Sequence, residues 1–353
     1  MTLKKWKILG ISLLSGTLLF LFAISLTNSS QTDGVVLSFN SQKEQLEQNY
    51  PLFSSYTLLD TSKQSYPLPD LSNTKTLIMR SDKIGIAKDM DPQGIVLAEN
   101  YILISAYSRS HQFNSVIYIL DASSGDHIKT IVLDGTPHAG GLAYDPIHKN
   151  VWVCTHSRNN KAQVAAIALR TLKKYKLNQT HKPIDYAQII NLGDLKEASF
   201  LTYYKKNLFI GFFDKNSDGI LTRYDIQENG KFDQDYGKTI HLRSGEKLSQ
   251  PEKTYAIDRR IQGITFYQDK IILSRSYGSL NSKIMIYNYH DNDIDLDIDA
   301  LRTIDAPAYL EQIFASDDRL YIIFESATSL YKIKKNITVV DRVLQWDLNR
   351  VFK

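Results

Sequence analysis

The stretch that decides the fold is Pro92-Gln93-Gly94-Ile95-Val96-Leu97 followed by Tyr101-Ile102-Leu103-Ile104-Ser105-Ala106-Tyr107. Both segments are short and rich in residues that suit pleated, half-buried surfaces. Polar residues separate them, so the pair predicts two antiparallel strands joined by a turn. A third apolar run at 116–120 and a fourth at 128–133 follow after further polar loops. Together these runs predict one four-stranded unit.

The same order of segments recurs along the chain. The paired strands return at 140–156, 198–213, 261–276 and 311–325, and the third run returns at 164–168, 220–224, 284–288 and 329–333. Four short strands in each repeat of about 50 residues are typical of β-propeller blades. A β-sandwich is the alternative for any all-β chain, but it does not predict the same strand order five times. The sequence therefore predicts an all-β propeller with five readable four-stranded blades.

The two ends of the repeat region leave the blade number open. Residues 76–90 and 337–348 are predicted to complete the last blade by pairing the two ends of the chain. The alternative is that these residues belong to a degenerate sixth blade. Either arrangement buries faces that no single four-stranded unit can bury alone.

Three short segments carry a resemblance to a known superfamily. They are Gln93-Gly94-Ile95, Ile117-Tyr118-Ile119-Leu120-Asp121 and the turn Ser124-Gly125-Asp126. The pattern resembles the broad WD40-like and NHL-like superfamily of extracytoplasmic β-propellers, over about residues 76–350. The motifs are generic, so the resemblance implies the fold and no particular activity.

The N-terminus predicts a single membrane helix. Lys4, Lys5 and Lys7 precede the segment from Ile8 to Leu26, which carries no charged residue. As a helix this segment would be about 28 Å long, close to the ~30 Å hydrocarbon core of a bilayer. The basic flank favours the cytoplasmic side, so the rest of the chain is predicted to be membrane-anchored and extracytoplasmic. Cleavage near Ser25, which would release a secreted protein, is the alternative.

The predicted organisation has three parts. A membrane anchor or signal segment covers residues 1–30, a polar stalk or lead-in covers 31–75, and the propeller covers 76–353. A short helix is expected within the lead-in, around Gln42–Gln48. The net charge of +4 is small and scattered, which argues against a nucleic-acid partner.

The sequence also excludes several classes of site. Its single cysteine, Cys154, excludes an intramolecular disulfide framework and a Cys-rich zinc site. Cys154 lies in an apolar run, so we expect it to be a buried, unreactive thiol. The chain contains no Gly-rich phosphate loop, no His-Glu-x-x-His motif and no Gly-x-Ser-x-Gly elbow.

The candidate binding residues come from propeller geometry. Inner strands begin, and second strands end, at the same mouth of the central channel. The inner-strand starts supply Gln93, His138, Glu197, Gln262 and Glu311, and the second-strand ends supply Tyr107, Arg109, His156, Arg158, Asp214, Tyr277 and Glu325. This polar ring of mixed charge predicts a site for a sugar, a peptide or another polar ligand. The alternative is that these side chains fill the channel and bond to each other and to buried water.

Two functional hypotheses use this mouth. The first is a binding module for a polar ligand or a surface protein, which requires no cofactor. The second is a hydrolase or lyase acting on a carbohydrate or lactone, with His138 or His156 as the base beside Glu197 or Glu311. A purely structural surface protein is the third hypothesis.

One loop suggests calcium as a cofactor. Residues 214–225 fit a pattern with oxygen ligands at alternate positions, which are Asp214, Asn216, Asp218, Ile220, Thr222 and Asp225. The loop resembles the calcium loops of integrin-type propellers. The alternative is a plain hairpin turn, in which Asp-Gly is favoured for its backbone angles. The acidic stretch 291–299 is interpreted as a solvated sheet edge, with a second cation site as the alternative.

Overall fold

The computed structural model describes residues 38–59, 64–157, 159–232, 239–241, 247–289, 294, 296 and 299–353. The predicted membrane segment 8–26, Arg158 and most of the acidic stretch 291–299 lie outside these described residues. None of the helices in the described ranges is both long and apolar enough to cross a membrane.

The repeats form antiparallel sheets, in the order that the sequence predicts. Ahead of the first blade lie α1 (Phe39–Asn49), α2 (Pro51–Tyr56), β1 (Tyr66–Pro67), β2 (Thr74–Leu77) and β3 (Ile84–Ala87). Blade 1 contains β4 (Met90–Ala98), β5 (Tyr101–Ser108), β6 (Val116–Asp121) and β7 (His127–Val132). Blade 2 contains β8 (Leu142–Asp145), β9 (Asn150–His156), β10 (Ala162–Ala168), the helices α3 (Leu169–Lys174) and α4 (Leu177–Thr180), and β11 (Gln188–Asn191).

The remaining blades follow the same plan. Blade 3 contains β12 (Phe200–Tyr204), β13 (Asn207–Phe212), β14 (Gly219–Asp225), a hairpin of β15 (Thr239–His241) and β16 (Lys247–Ser249), and β17 (Lys253–Ile257). Blade 4 contains β18 (Ile261–Tyr267), β19 (Lys270–Arg275), β20 (Ser282–Asn288) and β21 (Arg302–Ala306). Blade 5 contains β22 (Leu310–Ser316), β23 (Arg319–Phe324), α5 (Ser329–Lys332) and β24 (Arg342–Asp347), and α6 (Leu348–Val351) follows it.

The first strand of each blade is the innermost one. β4, β8, β12, β18 and β22 contact one another in turn, and β22 contacts β4, so they form a closed ring. Within the described ranges the chain forms five four-stranded sheets, and no sixth blade is among them. At Gly141 a Cβ atom would lie 2.5 Å from the backbone nitrogen of Leu201. Only glycine permits the backbones of blades 2 and 3 to approach so closely here.

The two ends of the described chain meet in blade 5. β1 pairs antiparallel with β24, with Tyr66 opposite Val343, and completes the sheet as its outer strand. The Tyr66 hydroxyl donates to the carbonyl of Ala122 at 2.9 Å, which links this blade to blade 1. Pairing of the chain ends was expected, but residues 76–90 do not supply the partner strand. They contribute instead to the β2–β3 hairpin and to the start of β4.

The prediction for the third strand of blade 5 is also wrong. The predicted run 329–333 forms α5, and β24 takes its place beside β23. The physical reason is burial, because Val343, Leu344 and Trp346 are fully buried whereas Ile333 is 80% exposed. The segment that buries more apolar surface, β24, therefore occupies the position beside β23 in place of the run 329–333.

The N-terminal helices pack against blade 5. α1 includes the helix expected around Gln42–Gln48, and Leu46 and Phe53 are fully buried. The ring of Phe53 meets that of Trp346 edge to face, with centroids 5.0 Å apart. Each buried side chain of this size contributes about 1.5–3 kcal/mol to folding. These parts of the predicted lead-in are therefore packed against the propeller.

Candidate functional site

Gln312 fills the centre of the ring of inner strands. Its Nε2 donates to the carbonyls of Leu142 at 2.7 Å and Leu201 at 3.0 Å. Its Oε1 accepts from the backbone nitrogens of Ile95 at 2.8 Å and Leu142 at 2.9 Å. One side chain from blade 5 thus satisfies main-chain groups of blades 1, 2 and 3. At this level the channel is filled by a fully hydrogen-bonded polar group.

Next to Gln312, three buried carboxyl groups lie at the predicted mouth. Asp91 is at the start of β4, Glu311 is in β22, and Glu325 directly follows β23; they are 0%, 4% and 9% exposed. Burial raises the pKa of Glu325 to about 8, and the negative charge of Asp91 adds to the effect. Burial also raises the pKa of Asp91 to about 6. The pKa of Glu311 is raised well above its usual range by burial and by repulsion from the other two.

Side-chain amides hold two of these carboxyl groups. Gln93 donates from Nε2 to Oε1 of Glu325 at 3.2 Å. Gln262 donates from Nε2 to Oε1 of Glu311 at 3.5 Å, the outer limit of a hydrogen bond. Neither amide carries a charge, and the bond from Gln93 lowers the pKa of Glu325 by less than burial and Asp91 raise it.

Arg109 supplies the positive charge of the site. Its Nε donates to Oδ2 of Asp91 at 2.8 Å, its Nη2 contacts Oδ1 of the same carboxylate, and this fork-to-fork pair fixes the guanidinium plane. Nη2 also donates to Thr328 Oγ1 at 3.0 Å. The guanidinium carbon lies 5.6 Å from the centroid of the Tyr331 ring.

The insertion that contains α5 covers part of the mouth. The Tyr331 hydroxyl lies close enough to Glu325 to lower the pKa of that carboxyl. The ring of Tyr331 stacks on Tyr309 with centroids 4.0 Å apart, and Lys334 Nζ lies 4.8 Å from the centroid of Tyr331. Lys334 Nζ also donates to the Tyr309 hydroxyl at 2.9 Å. Stacking and cation–π contacts together hold this cover in place.

These residues form what we call the mouth cluster. It consists of Asp91, Gln93, Tyr107, Arg109, Gln262, Glu311, Glu325 and Tyr331. Burial is the main reason that the pKa of the Tyr107 phenol is raised, and the negative charges of Asp91 and Glu325 add to the effect. Tyr107 therefore lies close to both carboxyl groups and belongs to the cluster. The structure thus brings together most of the inner-strand and second-strand residues predicted for blades 1, 4 and 5. Whether they contact a ligand remains a prediction.

His138 lies beside the mouth cluster. Its ring meets that of Tyr107 with centroids 4.3 Å apart. The side chain is exposed to solvent, yet protein surrounds it closely enough to lower its pKa to about 4, with His111 adding to the effect. A group with both properties is expected to line a solvent-accessible mouth in its neutral form.

The histidine–carboxylate pairs of the enzyme hypothesis are not formed. Among the described residues, the one histidine paired with a carboxylate is His148, whose Nδ1 lies 2.6 Å from Asp145 Oδ2. His156 Nδ1 lies 3.0 Å from the Ser157 carbonyl, in a separate cleft of about 690 Å³. Glu197 is exposed to solvent. A base built from His138 or His156 with Glu197 or Glu311 therefore has no support in this geometry.

Two predicted mouth residues in the described ranges remain, Tyr277 and Asp214, and Asp214 is described with its loop below. Tyr277 is 45% exposed, and the guanidinium of Arg260 lies 5.0 Å from the centroid of its ring. It contacts Phe213, with ring centroids 6.4 Å apart. Tyr277 therefore belongs to the outer rim, where blades 3 and 4 meet.

The predicted calcium loop is a hairpin connection. Asp214 Oδ1 accepts from the backbone nitrogens of Asn216 at 2.8 Å and Ser217 at 2.9 Å, and these bonds lower the pKa of Asp214. Asp218 directly precedes β14, and Ile220 is the second residue of that strand. This arrangement is an Asx turn, in which the carboxylate satisfies its own backbone.

The strand that follows corrects the predicted ligand set. Asp225 pairs with Asn207 at the far end of β14, about 20 Å from the turn. Thr222 is buried, and its hydroxyl donates to the Ile210 carbonyl at 2.9 Å. No group of three or more His, Cys, Asp or Glu side chains within the described ranges is placed to hold a metal ion. Calcium binding at this loop stays a prediction.

Sequence reasoning missed two members of the mouth cluster, Asp91 and Tyr331, and also missed Gln312 at the centre of the ring. Asp91 lies next to the recognised Pro92–Leu97 run, and Gln312 is adjacent to the predicted Glu311. Both could have been found by extending each inner strand by one or two residues. Tyr331 had no such signal, because its run was assigned to a strand.

The fold defines the class: the described chain is a β-propeller of five four-stranded blades. No protein-family model matches the chain, and no curated protein matches it.

Several solved structures are similar to it. Glutaminyl cyclase from Myxococcus xanthus is 13% identical with a TM-score of 0.43, over 80% of this chain and 92% of that one. The nidogen/laminin complex is 11% identical with a TM-score of 0.40, over 74% and 85%. The WD40 domain of Toxoplasma gondii coronin is 8% identical with a TM-score of 0.36, over 74% and 56%.

Proposed function

We propose that this protein is an extracytoplasmic binding module that recognises a polar ligand or a segment of a protein partner at the mouth cluster. The observation that carries the proposal is that Asp91, Glu311 and Glu325 are buried close to one another. Among the described residues, Arg109 is the cation that lies beside them. Carboxyl groups in such surroundings cost stability, and strongly perturbed groups of this kind concentrate at functional sites. The extracytoplasmic location rests on the uncharged segment Ile8 to Leu26 and its basic flank.

The chemistry of the cluster suits binding. It offers uncharged amides, carboxyl groups, a guanidinium and aromatic rings on a rigid ring of strands. A few placed polar groups beside aromatic side chains are typical of small-molecule and peptide sites. A partner would enter past the exposed His138 and the cover formed by Tyr331.

The experiment is a binding screen of the full-length protein against immobilised glycans and peptides. Gln262→Trp fills the mouth with bulk and should abolish capture of any ligand bound there, whatever its charge. Asn100→Trp adds the same bulk to an exposed turn at the opposite face and serves as the matched control. Capture that survives Gln262→Trp as well as Asn100→Trp would refute the mouth as the binding site.

One observation favours a hydrolase or lyase as the second candidate function. Glu325 has a pKa of about 8 and is close to Asp91, whose pKa is about 6. Two carboxyl groups with pKa values pushed apart can serve as acid and base at neutral pH. In a hydrolysis assay on a panel of glycosides and lactones, Glu325→Gln should remove any turnover, since it removes the acid. Turnover unchanged by this substitution would count against Glu325 as the acid.

A further inference from the structure

We infer that the ligand of the mouth cluster carries an organic cation, a primary ammonium or a guanidinium, which is held by Glu311 and Glu325. This inference rests on the proposed binding function and names the chemical class of the ligand.

The first step is the balance of charge. Arg109 is committed to Asp91 by two contacts and to Thr328 by a third. It is the one described cation close enough to lower the pKa of Glu325, and no described cation lowers that of Glu311. The cluster therefore holds more carboxyl groups than the described cations can neutralise.

The second step is the state of Glu311 itself. The residue is 4% exposed, and Gln262 donates to its Oε1 at the outer limit of 3.5 Å. Within the described ranges, Oε2 of Glu311 accepts no hydrogen bond. That oxygen is not among the fully enclosed side-chain oxygens, so a donor from outside the protein can reach it. A hydrogen bond from a charged donor would stabilise this carboxyl group more than the long bond from Gln262 does.

The third step separates an organic cation from a metal ion. Calcium requires several oxygens within about 2.3–2.6 Å of one point, and the described side chains form no such group. An ammonium or guanidinium is satisfied by carboxylates at about 2.7–2.9 Å and by the face of an aromatic ring. Arg109 already binds in this manner, between the Asp91 carboxylate and the Tyr331 ring. The carboxyl groups and aromatic rings of the site are thus arranged in a way that suits a planar cation.

The titratable groups that face Glu311 and Glu325 predict how binding depends on pH. They are Asp91 from β4, Tyr107 and Arg109 from the end of β5, and Tyr331 from α5. Around these lie Asp89 beyond Asp91, His138 and His111 beside Tyr107, and Tyr309 and Lys334 against the Tyr331 ring. Arg109 stays charged, the tyrosine pKa values are raised, and the pKa of His138 is lowered. A cation that replaces the proton on a carboxyl group must bind more tightly as pH rises toward 8.

The experiment measures binding of n-butylamine and n-butylguanidine by calorimetry, with n-butanol as the uncharged probe of the same length. The full-length protein is titrated at pH 6 and pH 8 in two buffers that differ in ionisation enthalpy. We expect both cations to bind at least tenfold more tightly at pH 8 with release of a proton, and butanol to bind at least tenfold more weakly than either.

Glu311→Gln is the decisive variant, because it keeps the shape and removes the charge. It should weaken both cations about tenfold or more. Glu325→Gln is the second variant and should act in the same direction, which keeps the test valid if the first variant fails to fold. Glu99→Gln is the control, since Glu99 lies on the surface between Lys149 and Lys173.

Three results would contradict the organic-cation ligand. Equal affinity for butanol and butylamine, cation binding that both cluster variants leave unchanged, or no cation binding at all would overturn the inference. If the glycan and peptide screen instead captures a neutral ligand that Gln262→Trp blocks, the proposed function stands and the inference alone fails.

Discussion

Gln312 and Leu142 exchange two hydrogen bonds across the centre of the propeller. Gln312 Nε2 donates to the Leu142 carbonyl at 2.7 Å, and the Leu142 backbone nitrogen donates to Gln312 Oε1 at 2.9 Å. These residues belong to blades 5 and 2, which are not neighbours in the ring. The side-chain amide thus acts as an additional peptide group that ties blades together through the channel.

Gln312→Ala should destabilise the protein far more than the loss of one hydrogen bond. Leu142, Leu201 and Ile95 would each keep a buried main-chain group without its partner, so we expect a loss of at least about 3 kcal/mol in the free energy of unfolding. Urea denaturation measures this loss. Gln42→Ala is the control, because Gln42 is equally buried but donates one bond, to Val339 at 2.9 Å. Equal losses in the two variants would contradict the role of Gln312.

The contact between blades 2 and 3 makes a second prediction. In Gly141→Ala the new methyl group would lie 2.5 Å from Leu201 N and 2.8 Å from Phe200 Cα, both backbone atoms. Because backbone cannot move aside cheaply, we expect a loss of about 2–3 kcal/mol. Gly278→Ala is the control: the methyl group meets nothing within 4 Å, and the positive φ costs about 1–2 kcal/mol. Thermal unfolding that ranks Gly278→Ala as the more damaging change would refute the close-packing argument.

The blades were predictable because their signals are local. Alternating apolar residues and turn residues lie within about ten positions of each other, so the segment 92–107 already reveals one hairpin. The rule that inner strands start and second strands end at one mouth then located Arg109, Glu311 and Glu325 on one face. The rule did not predict which residues these side chains contact.

The contacts that define the site depend on closing the ring. Gln312 and Leu142 are 170 residues apart, and no local pattern indicates that they meet. α5 shows a different limit. The run 329–333 has enough apolar residues for a strand, and only competition with β24 for the edge of β23 decides its structure. Local propensity loses to burial when two segments compete for one edge.

The raised pKa of Glu325 predicts a pH dependence of stability. Its folded-state pKa of about 8 exceeds the ordinary 4.5, so the folded protein holds this proton more tightly than the unfolded chain. The stabilisation is complete below about pH 4.5 and is lost as pH rises to about 8, by up to about 1.4 kcal/mol per pH unit. Asp91, with a pKa of about 6, adds a similar loss at lower pH.

Glu325→Gln should therefore flatten the decline in unfolding free energy between pH 6 and pH 8, because glutamine does not titrate. Urea denaturation at several pH values measures the slope. In the control, Glu99→Gln, the slope over this range should stay as in the wild type, since Lys173 and Lys149 lower the pKa of Glu99. A wild-type stability that rises from pH 6 to pH 8 would show that Glu325 is not the dominant group.

Cys154 provides a reporter of opening of the whole propeller. It lies in β9 with 1% exposure, and burial raises the pKa of its thiol, so the reactive thiolate is suppressed in the folded state. Its side chain belongs to a core cluster that includes Trp152, Leu201 and Leu208, from blades 2 and 3.

A thiol reagent should therefore modify Cys154 only when these blades separate, at a rate that follows global unfolding across a urea series. Ser279→Cys adds a thiol on an exposed loop and should react at once in the folded protein. Gly141→Ala, which strains the contact between the same two blades, should accelerate modification of Cys154 by about tenfold or more, since a loss of ~1.4 kcal/mol is a tenfold change in an equilibrium. Rapid modification of Cys154 in the wild type without urea would show that blade 2 opens locally.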